Sequence, residues 1–498
     1  MKRRKEFIIV LVSLLVIVLS VSVAYFTIRV LGTGKKISVD FADLKVIFTS
    51  GNGTINGTNI EPGWSSGENT FTVKNESNGT YNYNIIIKDL VNTFVTEGFL
   101  VYKITSADGG YNMTDFADVP KSSTSADTVL AENISIEKGA THTYKIEIKY
   151  LESSTINQDE DQGKKLSGKI FIEKAMPTLA SKILQDNPTI STRNNFRTPF
   201  TTNTANTLYK ATENGTDVYY FAGQDTTSTP INNWVKFGGF YWRIIRTNAD
   251  GSIRLLYSGT SPDTTEGYIG ESAFNTSSNS PKYAGYMYGD SDTTLEEART
   301  NTNDSTIKTY IDNWYANNMT SYTKYLSTTA VYCNDREVGS GTYSATGSRF
   351  YYAAYTRLVY NNAPSYDCTN DNDKFTVDAS TGNGKLIYPI ALMTADEIAY
   401  AGGVFATKAP MWYYTNSSFE SSTGTVIWWS LSPSDWGVNN ANSWLVNRSD
   451  APGGLFNAPV NFVRNVRPAV SLKACIKYRT GNGTSETPYE IVETSSEC

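Results

Sequence analysis

The chain runs to 498 residues, with 18% charged residues and a formal net charge of −6. That length leaves room for two or three domains, and the sparse, slightly acidic charge gives no electrostatic footprint for a nucleic-acid partner. A single histidine, His142, stands against 33 tyrosines. The abundance of Asn, Thr, Ser, Gly and Tyr is the composition of exported, strand-rich and turn-rich surface proteins.

The N-terminus begins with the basic run Lys2-Arg3-Arg4-Lys5, followed by Phe7 to Ile28 without a charged residue. About 20 apolar residues at ~1.5 Å rise span a bilayer core as a helix, and the basic cluster should stay on the cytoplasmic side. Residues 1–35 are therefore expected to form a single-pass anchor, with the remainder on the extracellular face of a bacterial membrane. The alternative is a signal peptide cleaved near Ala24, after Ser20-Val21-Ser22-Val23, which would release the chain. The Asn-x-Ser/Thr triplets, such as Asn52-Gly53-Thr54, read as a by-product of Asn, Ser and Thr richness rather than as glycosylation acceptors.

From residue 36 to 175 the sequence alternates in strand fashion. Asn69 to Asn75, Tyr81 to Ile87, Thr143 to Tyr150 and Lys169 to Glu173 each have period two, with turn clusters between them at Asn78-Gly79, Asp108-Gly109-Gly110 and Lys138-Gly139. Short alternating strands separated by turns predict an all-β sandwich. Residues 176–207 read as a linker holding a short helix near Leu179 to Leu184. A mixed α+β domain is expected over 208–480, with 481–498 as a tail stapled by Cys498. Within that domain Trp234 to Arg246 forms two strands about Gly238-Gly239, and Asn248-Ala249-Asp250-Gly251 turns into the Ile253 to Tyr257 strand. Ser305 to Met319 has helical spacing, and Thr394, Glu397 and Gly402 mark the cap, box and stop of a short helix.

The N-terminal portion, through Ala24-Tyr25-Phe26, Glu61-Pro62-Gly63-Trp64, Thr141-His142-Thr143-Tyr144 and Gln158 to Gly163, resembles camelysin and TasA-type surface and matrix proteins. That resemblance implies fibre assembly or surface display, and for camelysin a metalloprotease label. The portion from 208 to 480 resembles a C-type-lectin-like domain, in the variant shared with formylglycine-generating-enzyme-like proteins and surface proteins of gut Bacillota. The residues carrying this likeness are Phe240 to Arg246, Leu392 to Glu397, Trp429-Ser430-Leu431-Ser432-Pro433 and Val466 to Leu472. In retroelement-diversified proteins of that fold, variation concentrates in an Asn-rich C-terminal segment, which the Asn-rich stretch here resembles.

Candidate chemistry is thin. His142 lies in a predicted strand, and zinc proteases of the HExxH type need two histidines on one helix, so a strand residue with a polar partner is expected and no metal is assigned. Neither a GxSxG elbow nor a P-loop occurs, and no histidine in the second domain could serve a serine nucleophile; no catalytic residue is assigned. The four cysteines, Cys333, Cys368, Cys475 and Cys498, allow three pairings, of which 333–368 and 475–498 is the simplest. They do not map onto the formylglycine-generating active site. Asn370 to Asp373 and Gln158 to Asp161 are dense enough in oxygen ligands to admit calcium, but they lack EF-hand order, and the sugar-binding lectin tripeptides are missing.

The expected ligand face is C-terminal: Ser434, Asp435, Trp436, Asn439, Asn440, Asn442, Asn447, Arg448, Asp450, Asn457 and Asn461, a mixture of aromatic anchors and small polar groups. Trp428, Trp429 and Trp444 read as core and Trp436 as surface. The sequence thus points to a membrane-anchored binding or adhesion protein for an extracellular protein or glycan, with no nucleic-acid partner. The alternatives are a matrix fibre subunit and a camelysin-like metalloprotease.

Overall fold

The computed structural model describes residues 37–41 and 44–48 as backbone strands, and 61–76, 80–202, 205–226, 229–262, 267–413, 426–447 and 450–493 in full. The expected anchor, with Lys2 to Lys5 and Phe7 to Ile28, lies outside the described residues. Among the described residues no helix is long and apolar enough to cross a membrane. Strand outweighs helix, 38% against 14%, so the chain is β-rich. It divides into two compact units, Met1–Met176 and Pro177–Cys498.

Among its described residues the first unit has nine strands: β1 (Ile37–Phe41), β2 (Leu44–Phe48), β3 (Asn69–Asn75), β4 (Tyr81–Asn92), β5 (Leu100–Ser106), β6 (Ala117–Asp118), β7 (Ser122–Ile136), β8 (Thr141–Tyr150) and β9 (Leu166–Lys174). One sheet has the order β1-β2-β3-β8-β5-β6 and the other β7-β4-β9. The period-two reading holds residue by residue in β8, where His142, Tyr144, Ile146, Ile148 and Tyr150 are buried while Thr141, Thr143 and Lys145 face water. Tyr144, Ile146, Ile148 and Tyr150 join Phe71 and Val73 from β3 and Tyr83, Ile85, Ile87 and Ile172 from the other sheet in one apolar cluster. Both sheets thus bury one face against a shared core.

His142 has the polar partner the sequence reading expected. Its Nδ1 lies 2.8 Å from the Tyr83 hydroxyl, which also bonds the Tyr144 hydroxyl at 2.5 Å. Burial holds the imidazole below its ordinary pKa, against the opposing pull of Asp108. The folded histidine therefore binds fewer protons than the unfolded one, and stability present above pH ~6.5 is lost as pH falls. A His142→Gln variant is expected to flatten the fall in melting temperature of this unit between pH 7 and 5. An unchanged slope in calorimetry would rule the histidine out as its source.

The second unit begins at Pro177, so the stretch read as a linker is part of it. The Leu179–Asp186 helix, capped by Thr178, buries Leu179 and Ile183 in the unit's main core, and Thr189–Ser191 adds a parallel edge strand beside Thr207–Glu213. The chain beyond 480 is also more than a tail. Tyr489–Ile491 pairs in parallel with Trp234–Phe237, because its alternation of buried Tyr489 and Ile491 about Glu490 suits a half-covered sheet.

Phe237 and Phe240 close a hairpin through Gly238 and Gly239, whose φ values of +63° and +81° are what a type I′ turn requires. Phe240–Thr247, Ile253–Tyr257, Pro468–Leu472 and Ile390–Leu392 then lie side by side in a ten-stranded sheet. The Thr306–Asn318 helix, capped by Ser305, buries Ile307, Ile311 and Tyr315, as the spacing predicts. The Ala395–Ala401 helix has the predicted capping box between Thr394 and Glu397 and ends at Gly402. A second sheet of this unit, seven-stranded, centres on Trp428–Trp436, which pairs with Phe350–Tyr352 and Ala441–Val446, and the latter pairs with Leu455–Pro459.

Candidate functional site

Every residue of the Trp428–Trp436 strand is buried, because the strand is central in its sheet and covered on both faces. Trp436 is 1% exposed and belongs to the main apolar core with Trp428, Trp429 and Trp444, so it is not the surface anchor expected of it. Ser434 and Asp435 are likewise buried. Asn447 is also internal: its side chain donates to the Val426 carbonyl at 2.8 Å and accepts from Gly453 N–H at 3.2 Å. At φ +81° it shapes a turn, a task suited to asparagine.

The remaining expected contacts separate along the Ala441–Val446 strand. Beyond its start, Asn439 and Asn440 are exposed on the hairpin tip closed by the Gly437 N–H to Asn440 carbonyl bond, beside exposed Val438. Asn461 is exposed on the turn that Val460 N–H ties to the Ala441 carbonyl. Asp450 lies past the strand's other end and is exposed, and Arg448 lies outside the described residues. Asn442 and Asn457 are half-buried between these ends. The structure does bring three of the expected residues together: Asn457 Nδ2 donates to Asp435 Oδ1 at 2.7 Å and to Ser434 Oγ at 2.9 Å, and Ser434 Oγ donates to Asp435 Oδ1 at 2.9 Å.

The ring surface beside this trio was not among the expected residues. Tyr351 is the register partner of Asp435. From it the chain enters a short helical turn, Ala353–Tyr355, and then a π-helical turn, Thr356–Asn361, a geometry often found at functional sites. These turns assemble a stack. Buried Trp444 lies 5.6 Å from Tyr355 at 31°, and Tyr355 lies 4.4 Å from Tyr351 at 29°. Tyr360, 54% exposed, meets both tyrosines edge-on at 6.0 and 5.6 Å, and Phe405 stands against Tyr355 and Trp444. Arg349 reaches to 3.9 Å from Asp435 Oδ2. Burial and the neighbouring phenols raise the Tyr355 pKa. The dense run Arg349-Phe350-Tyr351-Tyr352, followed by Tyr355 and Tyr360, is the signal that could have located it.

No protein-family model matches the chain, and no curated protein is significantly similar to it.

The π-helical turn is anchored from beneath by Arg357. Its guanidinium grips Asp396 with Nε and Nη2 at 2.9 and 2.7 Å and reaches Asp335 at 2.6 Å. Asp335 belongs to a five-residue hub, Cys333 to Glu337, in which each side chain ties a distant segment. Cys333 is bridged to Cys368, as the nearest-neighbour pairing predicts. Cys475 is also disulfide-bonded, while Cys498 lies outside the described residues. Asn334 accepts from Tyr286 N–H and donates to the Leu431 carbonyl. Arg336 pairs with Asp373 at 2.6 Å, and Glu337 with Arg299 at 3.1 Å. In the adjoining cleft Arg246 bridges Glu213 and Glu397, with Arg254 at 3.5 Å from Glu397. Asp371 to Asp373, within the acidic run considered for calcium, is instead committed to these pairs and to Lys374.

Burial pushes the Asp335 carboxyl up to about 6. Arg357 opposes that push but is claimed first by Asp396, whose own charge, with that of Asp373, adds to it. A folded-state pKa above the unfolded value means that the folded state holds the extra proton between about pH 4 and 6. The stability contributed by this group is therefore present at low pH and lost as pH rises through about 6. Asp335→Asn is expected to remove that component from the pH dependence of this unit's melting temperature; calorimetry showing an unaltered profile would contradict it.

Proposed function

We propose that this chain is a surface-displayed recognition protein, held to the membrane by Phe7 to Ile28. In this reading the first unit is a β-sandwich stalk and the second a C-type-lectin-like domain that meets an extracellular ligand. The observation that carries the reading is the tyrosine stack on the π-helical turn: an aromatic surface opening to solvent over a rigid base of buried ion pairs. Amphipathic rings of this kind supply large contact area at little entropic cost. The face thus shifts from the Trp436 segment to Tyr351, Tyr355 and Tyr360, with half-buried Asn457 retained from the expected residues and buried Asp435 holding it from behind. The Asn439–Asn440 tip supplies a polar rim, and it is the part a retroelement-diversified protein would vary.

The test is to screen the full chain against extracellular proteins and glycans on arrays, beside Tyr360→Ala and Asn440→Ala. Loss of capture in Tyr360→Ala with an unchanged melting temperature supports the reading. Capture that survives Tyr360→Ala but not Asn440→Ala would return the face to the hairpin tip. Filaments grown from the purified chain, with no capture of either class, would favour the fibre subunit instead.

A further inference from the structure

We propose that one end of the first unit's sandwich rests on the bilayer surface, with Val95, Leu151 and Ile156 entering the lipid interface. The inference rests on the anchoring part of the reading above and adds which end meets the membrane, and through which residues.

Strand direction is the first argument. β8 runs from Thr141 to Tyr150, and these limits mark the two ends of its sheet: Lys74 pairs with Thr141 at one, Leu100 with Tyr150 at the other. Phe41 is level with Leu44 and Asn75, beyond Lys74, whereas Ser38 is level with Ile47, Thr72 and Thr143. The chain therefore runs through β1 away from the Tyr150 end and enters it from that side. Eight residues, Arg29 to Lys36, lie between the apolar run and β1; fully extended they reach about 26–29 Å. Only about 20 Å of strand, at ~3.3 Å per residue, separates the level of Ile37 from Tyr150, so the anchor's outer end can lie at the Tyr150 end. The chain leaves the sandwich at the opposite end: β9 finishes at Lys174, paired with Tyr83, whose hydroxyl meets His142.

The surface at the Tyr150 end is the second argument. Val95, Leu151 and Ile156 are 42%, 40% and 51% exposed, and all three lie on loops at that end. The loops are braced together: buried Asp161 accepts from Val95 N–H at 2.6 Å and from the Tyr150 hydroxyl at 2.8 Å. Leu151 N–H donates to the Phe99 carbonyl, and Gln158 Nε2 to the Leu151 carbonyl at 2.9 Å. Single exposed aliphatic residues are ordinary, but three on one braced end, where the chain arrives, make a surface suited to lipid. The opposite end exposes Tyr111 and Met176, but it is the end from which the chain departs. Charge is the third argument. Around the apolar trio the exposed Glu97, Glu152 and Glu160 outnumber Lys121 and Lys165, so attraction to anionic headgroups does not hold this end down. Apolar burial does, and the anchor makes that contact intramolecular, so a weak one suffices.

The experiment reconstitutes the full chain into phosphatidylcholine vesicles, with an environment-sensitive fluorophore on Ile156→Cys or, at the opposite end, on the exposed Lys138→Cys. The proposal expects the Ile156→Cys label to shift to the blue on reconstitution and to be quenched by spin-labelled lipid. Neither effect is expected at Lys138→Cys. Adding Leu151→Asp, at an unchanged melting temperature, should reduce the shift, while raised salt should leave it intact. A shift indifferent to Leu151→Asp, one abolished by salt, or one found at Lys138→Cys instead would overturn the proposal. Vesicle-bound chain with no shift at Ile156→Cys would overturn it too, and leave the anchoring reading standing. Chain that fails to float with the vesicles would end both.

Discussion

Asp373→Ala is expected to lower the stability of the Pro177–Cys498 unit by about 3–5 kcal/mol, the usual cost of stripping one partner from a buried ion pair. Asp373 is fully buried; it accepts Arg336 Nε at 2.6 Å and Arg336 N–H at 2.8 Å, with Arg299 Nε at 3.6 Å. Its removal leaves two buried guanidinium groups, both 1–2% exposed, facing each other without the carboxylate between them. Arg336 retains its Nη1 bond to the Met287 carbonyl and its Nη2 bond to Asn301, but its Nε–H and backbone N–H lose their acceptor and its charge loses its partner. Urea denaturation of this unit's transition is the measurement. A loss below about 1 kcal/mol would mean that the site relaxes or admits water readily enough to rehydrate both arginines.

Reduction of the Cys333–Cys368 bridge is expected to cost about 4 kcal/mol, from the freed entropy of a loop closed over 35 residues in the unfolded chain. The effect should not add simply to that of Asp373→Ala, since Cys333 and Arg336 share the Cys333–Glu337 segment and coupled sites depart from additivity. A double-mutant cycle with Cys333→Ser and Cys368→Ser in the disulfide positions gives the coupling directly. Strict additivity would show that the hub residues act independently, contrary to the picture of one braced segment beneath the π-helical turn.

The legible parts of the fold were those where one local rule sufficed. Period-two burial in β8, the Gly238-Gly239 turn, the Ser305 cap and the Thr394–Glu397 box each require only neighbours in sequence. The candidate site was only partly legible. Trp436 is followed by Gly437, Val438, Asn439 and Asn440, a composition that suggests a turn, yet it is the last residue of a central strand covered on both faces. Burial there is set by Phe350, its register partner 86 positions earlier, and no local pattern carries that information. The same long-range pairing places Tyr351 beside Asp435 and lifts Tyr355 and Tyr360 onto one surface. The π-helical turn has no simple apolar period, so nothing local marks its tyrosines as one surface. Asp435 and Asn457 meet diagonally across the Ala441–Val446 strand, where Asp435 pairs with Asn442 and Asn457 with Trp444 two residues on.

Ligand contact, as proposed, falls on the tyrosine face rather than on the hairpin tip. Oxidative footprinting of the full chain, with and without a ligand captured on the arrays, tests this most directly. Protection of Tyr351, Tyr355 and Tyr360 is expected, with the exposed Phe462 labelled equally in both states. Protection of Phe462 and Val438, with the three tyrosines unchanged, would contradict it.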